Sequence, residues 1–108
     1  MNNYIQVVIT IDSEERAKEL GRLLVEHRAA ACVQVWGPVF STYRWEGKVE
    51  DAQEWMCSAK TTAGQYDRLE ALVKENHPYD VPEILAFPIL TGNKEYLDWV
   101  GGETTHPA

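Results

Sequence analysis

At 108 residues and a formal net charge of −7, the chain makes one domain, 1–108, with a single core, and its acidity argues against nucleic-acid backbones and anionic membranes, which are bound through clustered Lys and Arg. Its two cysteines, Cys32 and Cys57, lack CxxC spacing and suggest neither a disulfide framework nor a zinc site. Met1 to Tyr4 leads into a strand pattern with no charged n-region and no apolar run long enough to span a bilayer, so a cytoplasmic protein is expected.

Tyr4 to Ile11 alternates, with Ile5, Val7, Ile9 and Ile11 on one face, and reads as the first strand. At Asp12 the period changes: Asp12 with Glu15 fits a capping box, and Ala17, Leu20, Leu24 and His27 follow at helical spacing to about Arg28. Gly21 in this helix costs about 1 kcal/mol against alanine, which a close helix-to-sheet approach offsets. Ala30 to Trp45 is extended, with a bend or bulge expected at Gly37-Pro38. Glu46-Gly47-Lys48 is a turn, and Val49 to Thr61 returns with Trp55, Cys57 and Ala59 on one face, making one long hairpin.

Thr62 and Gln65 form a second capping box, opening a helix whose buried stripe is Tyr66, Leu69, Leu72 and Val73. The helix ends at His77-Pro78-Tyr79-Asp80-Val81-Pro82-Glu83, where two prolines stiffen the connection and hold an imidazole, a phenol and two carboxylates in one short segment. Such a segment either stops a helix and aims a strand, or carries function as rigidly held loops often do. Ile84 to Leu90 is the last strand, with Pro88 confining it to a sheet edge. Asn93 caps a short C-terminal helix that Gly101-Gly102 should end, leaving a mobile tail over about 102–108.

The order strand, helix, strand, strand, helix, strand predicts an α+β split βαβ sandwich, a four-stranded antiparallel sheet with two helices on one face and the first and third strands central. Hairpin arms of about 13 residues reach on the order of 40 Å, whereas helices of about 14 residues cover some 20 Å. The hairpin therefore overhangs its helices and carries Phe40, Tyr43 and Trp45 with it. That apolar load calls for further subunits, arranged about a rotation axis so that strand edges close on one another.

Chemistry is sparse. Burial accounts for Cys32 and Cys57, and His27 and His106 have no partner at metal spacing. His77 is better placed, since Asp80 and Glu83 could add oxygen ligands to a copper or zinc ion held by its imidazole. No nucleophile and base stand together, and there is no GxSxG elbow, P-loop or GxGxxG turn, so no enzyme is expected. An RNA-recognition surface of the same topology is disfavoured by the acidic charge and by the absence of an RNP-type Lys/Arg-Gly-Phe run.

Taken together, Ala30-Ala31-Cys32, Tyr43-Arg44-Trp45-Glu46-Gly47-Lys48, Lys60-Thr61-Thr62, His77-Pro78-Tyr79, Val81-Pro82-Glu83-Ile84 and Gly92-Asn93 with Tyr96, Leu97 and Trp99 resemble the divalent-cation tolerance family, CutA. The resemblance implies a ferredoxin-like subunit in a homotrimer, a cytoplasmic role in tolerance to copper and other divalent metals, and no catalytic activity. It makes Cys32 and His77 the metal candidates, joined by Glu83 from the same hinge. Some members carry a further cysteine late in the first strand, where this chain has Ile9 or a neighbour. The trimeric nitrogen-regulatory proteins share the architecture, and a small-molecule sensor without a physiological metal is the alternative. In either case a cleft between subunits is expected to gather His77, Tyr79 and Glu83 with hairpin residues such as Tyr43, Trp45 or Lys60.

Overall fold

The computed structural model describes residues 3–104. Strand β1 (Tyr4–Ile11) is followed by helix α1 (Glu14–Glu26), strands β2 (Cys32–Trp45) and β3 (Lys48–Thr62), helix α2 (Tyr66–Asn76), strand β4 (Ile84–Pro88) and helix α3 (Lys94–Thr104). The sheet order is β2-β3-β1-β4 with every pair antiparallel, so β1 and β3 are central and the proline-bearing β4 lies at the edge as expected. No helix among the described residues is long and apolar enough to cross a membrane.

Alternation in β1 decides where the core sits. Ile5, Val7, Ile9 and Ile11 are buried with Cys57 and Ala59 of β3, under Ala17, Leu20 and Leu24 of α1 and Leu69 and Val73 of α2. Helix α1 lies so close to β2 that a Cβ on Gly21 would stand 3.1 Å from Val33 Cγ1, which gives that glycine its reason. The opposite face of the sheet carries Gln6, Val8, Thr10, Ser58 and Lys60 and lies away from both helices.

The hairpin turns on Glu46 and Gly47, both at positive φ (51° and 80°), as a two-residue turn demands. Its arms hold 14 and 15 residues, and the molecule extends 45 Å along its longest axis, in keeping with the overhang. Strand β2 carries the expected irregularity at Gly37-Pro38 and runs on through it. It bulges there, Trp36 facing Met56 and Val39 facing Glu54, so that two residues oppose Trp55 alone. Gly37 stands at φ 154°, where a Cβ would come within 2.7 Å of Trp55 Cδ1.

Local capping departs from expectation in three places. The cap of α1 is Ser13, whose hydroxyl accepts from Arg16 N at 3.1 Å, while Asp12 forms an ion pair with the Arg16 guanidinium instead. Thr62 makes no side-chain cap, because a short 3₁₀ turn (Ala63–Gln65) intervenes and Gln65 reaches away to donate to the Thr104 carbonyl at 2.7 Å. Helix α3 is as long as α2 and passes through Gly101-Gly102 rather than ending there. That last turn is held from outside by Arg28, which donates to the Glu103 carbonyl, and from within by the buried Thr104 hydroxyl, which donates to the Val100 carbonyl at 2.8 Å. Of the expected mobile tail, residues 102–104 are thus helical. Residues 105–108, with His106, lie outside the described residues.

Cys57 is fully buried and donates weakly to the Ala17 carbonyl, and burial pushes its thiol up from 9.0 to about 11. Between those values the folded chain keeps a proton that the unfolded chain has lost, so this thiol's contribution to stability is whole below about pH 9 and disappears as pH rises to about 11. The stability gap between the native chain and Cys57→Ala should therefore narrow across that window. Denaturant titrations on either side of it check this, and a constant gap refutes it.

Candidate functional site

The bulge sets up the site. By reversing the alternation of β2, it turns Ser41, Tyr43 and Trp45 onto the same sheet face as Glu50 and Glu54 of β3 and Thr10 of β1. The hinge after α2 folds over this face at the root of the hairpin. Between them lies a cleft of about 610 Å³, lined by Thr10, Ser41–Tyr43, Trp45, Glu50 and Glu54, with Tyr79–Val81 and Glu83 from the hinge.

A hydrogen bond between side chains joins the two sides across the cleft. The Tyr79 hydroxyl donates to Glu54 Oε2 at 2.9 Å, and Glu54 is only 6% exposed. Burial, then the bond and charge of Glu54, hold the Tyr79 phenol well above its ordinary value, so it remains a donor at any physiological pH. Glu50, Glu54, Asp80 and Glu83 make the cleft strongly acidic, and no Lys, Arg or His is among its lining residues.

His77 has a different task. One ring nitrogen, Nε2, lies 2.6 Å from the Thr10 carbonyl oxygen, and the other, Nδ1, accepts from the Tyr79 amide at 3.1 Å. Only the tautomer protonated on Nε2 satisfies both bonds. The imidazole therefore fastens the hinge to β1 and places Tyr79 over Glu54, its own ring edge-on to that of Tyr79 at 4.7 Å. His77 does not line the cleft; it borders a second hollow on the helix side with Leu20 and Leu23.

The sequence-derived candidates thus divide. Tyr43, Trp45, Tyr79 and Glu83 do meet, in a cleft lined by a single copy of the chain. Lys60 does not join them: it pairs with Cys32 across the hairpin and donates to Gln34 Oε1 at 2.6 Å and Ser58 Oγ at 2.9 Å. Cys32 sits beside Tyr96, whose hydroxyl is raised first by burial and then by that thiol. Cys32 is level with Gln6, and Gln6 is about 13 Å along β1 from Thr10, where His77 docks.

Cys32, His77 and Glu83 do not come together around a metal ion in a single copy of the chain, for both imidazole nitrogens are engaged and the thiol is remote. Among the described residues, no group of three or more His, Cys, Asp or Glu gathers as ligands. Glu50 and Glu54 are the residues that sequence reading missed. A signal existed for Glu50, since a two-residue turn at Glu46-Gly47 fixes Tyr43 opposite Glu50. Glu54 depends on the size of the bulge, which no periodicity reveals.

Residues 5–103 match the family model described as CutA1 divalent ion tolerance protein. The chain is 48% identical over 98 residues to the divalent-cation tolerance protein CutA of Thermus thermophilus, covering 91% of this chain and 95% of that one. It is 40% identical over 92 residues to human Protein CutA, covering 85% of this chain but 51% of the human one, about half its length. Among solved structures, CutA1 from Oryza sativa superposes with a TM-score of 0.92 at 39% identity over 94% of each chain.

Loss of the His77 fastening should be felt in stability before chemistry. His77→Ala leaves the Thr10 carbonyl and the Tyr79 amide without their partner, at a cost of about 1 to 3 kcal/mol each where they stay dry. The expected result is a lower melting temperature at fixed protein concentration; an unchanged melt means that the imidazole does not fasten the hinge to β1 in solution.

Proposed function

The chain belongs to the CutA1 divalent ion tolerance family, and from that premise we propose that it acts as a cytoplasmic homotrimer in tolerance to divalent cations, responding to copper or another such ion without catalytic turnover. The carrying observation is the apolar surface left uncovered on one subunit. Phe40 is 84% exposed and Trp45 47%, and Trp36, Leu85 and Phe87 are exposed on the sheet face opposite α1 and α2. A soluble chain seldom presents so many large apolar side chains to water. Strands β2 and β4 are the two borders of the sheet, and a heterologous contact repeated about a closed axis covers borders and face at once.

Metal response then depends on assembly, because one subunit does not gather the donors Cys32, His77 and Glu83. The cleft favours a second reading, a small-molecule-sensing module like the trimeric nitrogen-regulatory proteins. Its volume of about 610 Å³ and its mixed aromatic and polar lining suit a small ligand.

Light scattering tests the assembly: a trimer is expected at micromolar protein, and a monomer defeats the proposal. Trp45→Ala should lower the melting temperature, with a loss approaching about 3 to 5 kcal/mol if neighbouring subunits bury the ring. An unchanged melt would place Trp45 in water. Calorimetry with copper and zinc completes the test: binding that persists undiminished in an unassembled variant refutes a site dependent on assembly.

A further inference from the structure

We propose that the cleft between hairpin and hinge binds a small organic cation, an ammonium or guanidinium group on a short apolar body. The inference rests on reading the cleft as a small-molecule site and names the class of its ligand.

Glu54 carries the argument. It is a nearly buried carboxylate with no cation within ion-pair reach among the described residues. Its Oε2 accepts from Tyr79, and among the described residues no donor reaches Oε1. Tyr79 supplies a hydrogen bond but no positive charge. A buried anion left so is costly unless a counter-charge reaches it. It lines the cleft, so a counter-charge can reach it from there.

The surroundings choose between kinds of cation. Glu50, Asp80 and Glu83 add negative charge, but they are spread around the walls, and these carboxylates do not gather into a metal-ligating group. A metal ion needs several donors at one point. An organic cation does not: one N–H can reach Glu54, others can reach carboxylates elsewhere on the wall, and its carbon body can lie on Trp45 and Tyr43. Aromatic faces attract such cations through their quadrupoles, tryptophan most strongly. With no basic side chain in the lining, an anionic ligand would meet only repulsion.

Calorimetry on the whole protein at low ionic strength tests this, using n-butylammonium, n-butylguanidinium and tetramethylammonium against n-butanol and butyrate as neutral and anionic controls. The expected result is saturable binding of at least one cation, shifting the Trp45 indole resonance and weakening as salt is raised. Glu54→Gln keeps an acceptor for Tyr79 and should weaken that binding on the order of tenfold; Trp45→Leu should weaken it without affecting Glu54. Binding of butanol or butyrate equal to that of the cations overturns the proposal while leaving a small-molecule site in place. Failure of every probe to bind overturns both. If Glu54→Gln instead dissociates the assembly, the counter-charge belongs to a second copy of the chain, and the proposal likewise fails.

Discussion

Everything distinctive in this molecule depends on the close approach of Gly37 to Trp55. There two residues of β2 are fitted opposite one of β3, and the alternation of the outer arm is reversed. Without that reversal, Tyr43 and Trp45 would face the helix side of the sheet, away from Glu50 and Glu54. Only glycine can take the contact, because a side chain at that φ would run into the indole. One backbone irregularity thus divides the sheet into an inner part that packs a core and an outer part that presents a site.

The hinge completes what the bulge begins. Pro78 and Pro82 limit the paths open to the chain, and His77 selects one by bonding both β1 and the hinge. Tyr79 then has one place to put its hydroxyl. The residues that position the cleft are therefore different from those that line it, and the imidazole, chemically the most versatile group in the segment, is committed to positioning.

Most of the fold was legible because it rests on periodicity. The four strands and three helices follow from where apolar residues repeat, and the sheet order follows from handedness and from Pro88 at an edge. The misreadings have local causes. Ser13 and Asp12 are adjacent and both can cap, so the choice between them depends on geometry alone. Gly101-Gly102 looks like a helix end until Arg28 and Gln65, distant in sequence, bond the turn beyond it. Within the site, Tyr43, Trp45, Tyr79 and Glu83 were found because their motifs are conspicuous. Lys60 lies apart from them, and strand spacing says nothing about how far along the sheet a residue sits. The burial of Glu54 could not be read from a stretch as polar as Glu50 to Glu54.

The sheet order also has a consequence for how the chain comes into being. Strand β1 is made first yet stands in the middle, and its partners, Trp55–Thr62 and Ile84–Pro88, follow roughly forty to eighty residues later. The hairpin, by contrast, can close on its two-residue turn as soon as both arms exist, within about 1 to 10 μs. During synthesis the apolar side of β1 must wait, covered only by the adjoining α1, until the finished hairpin offers it an edge. Of the elements of this domain, the first to be made is thus the one whose place is settled late, and the strand that organises the core is the one most in need of protection before the core exists.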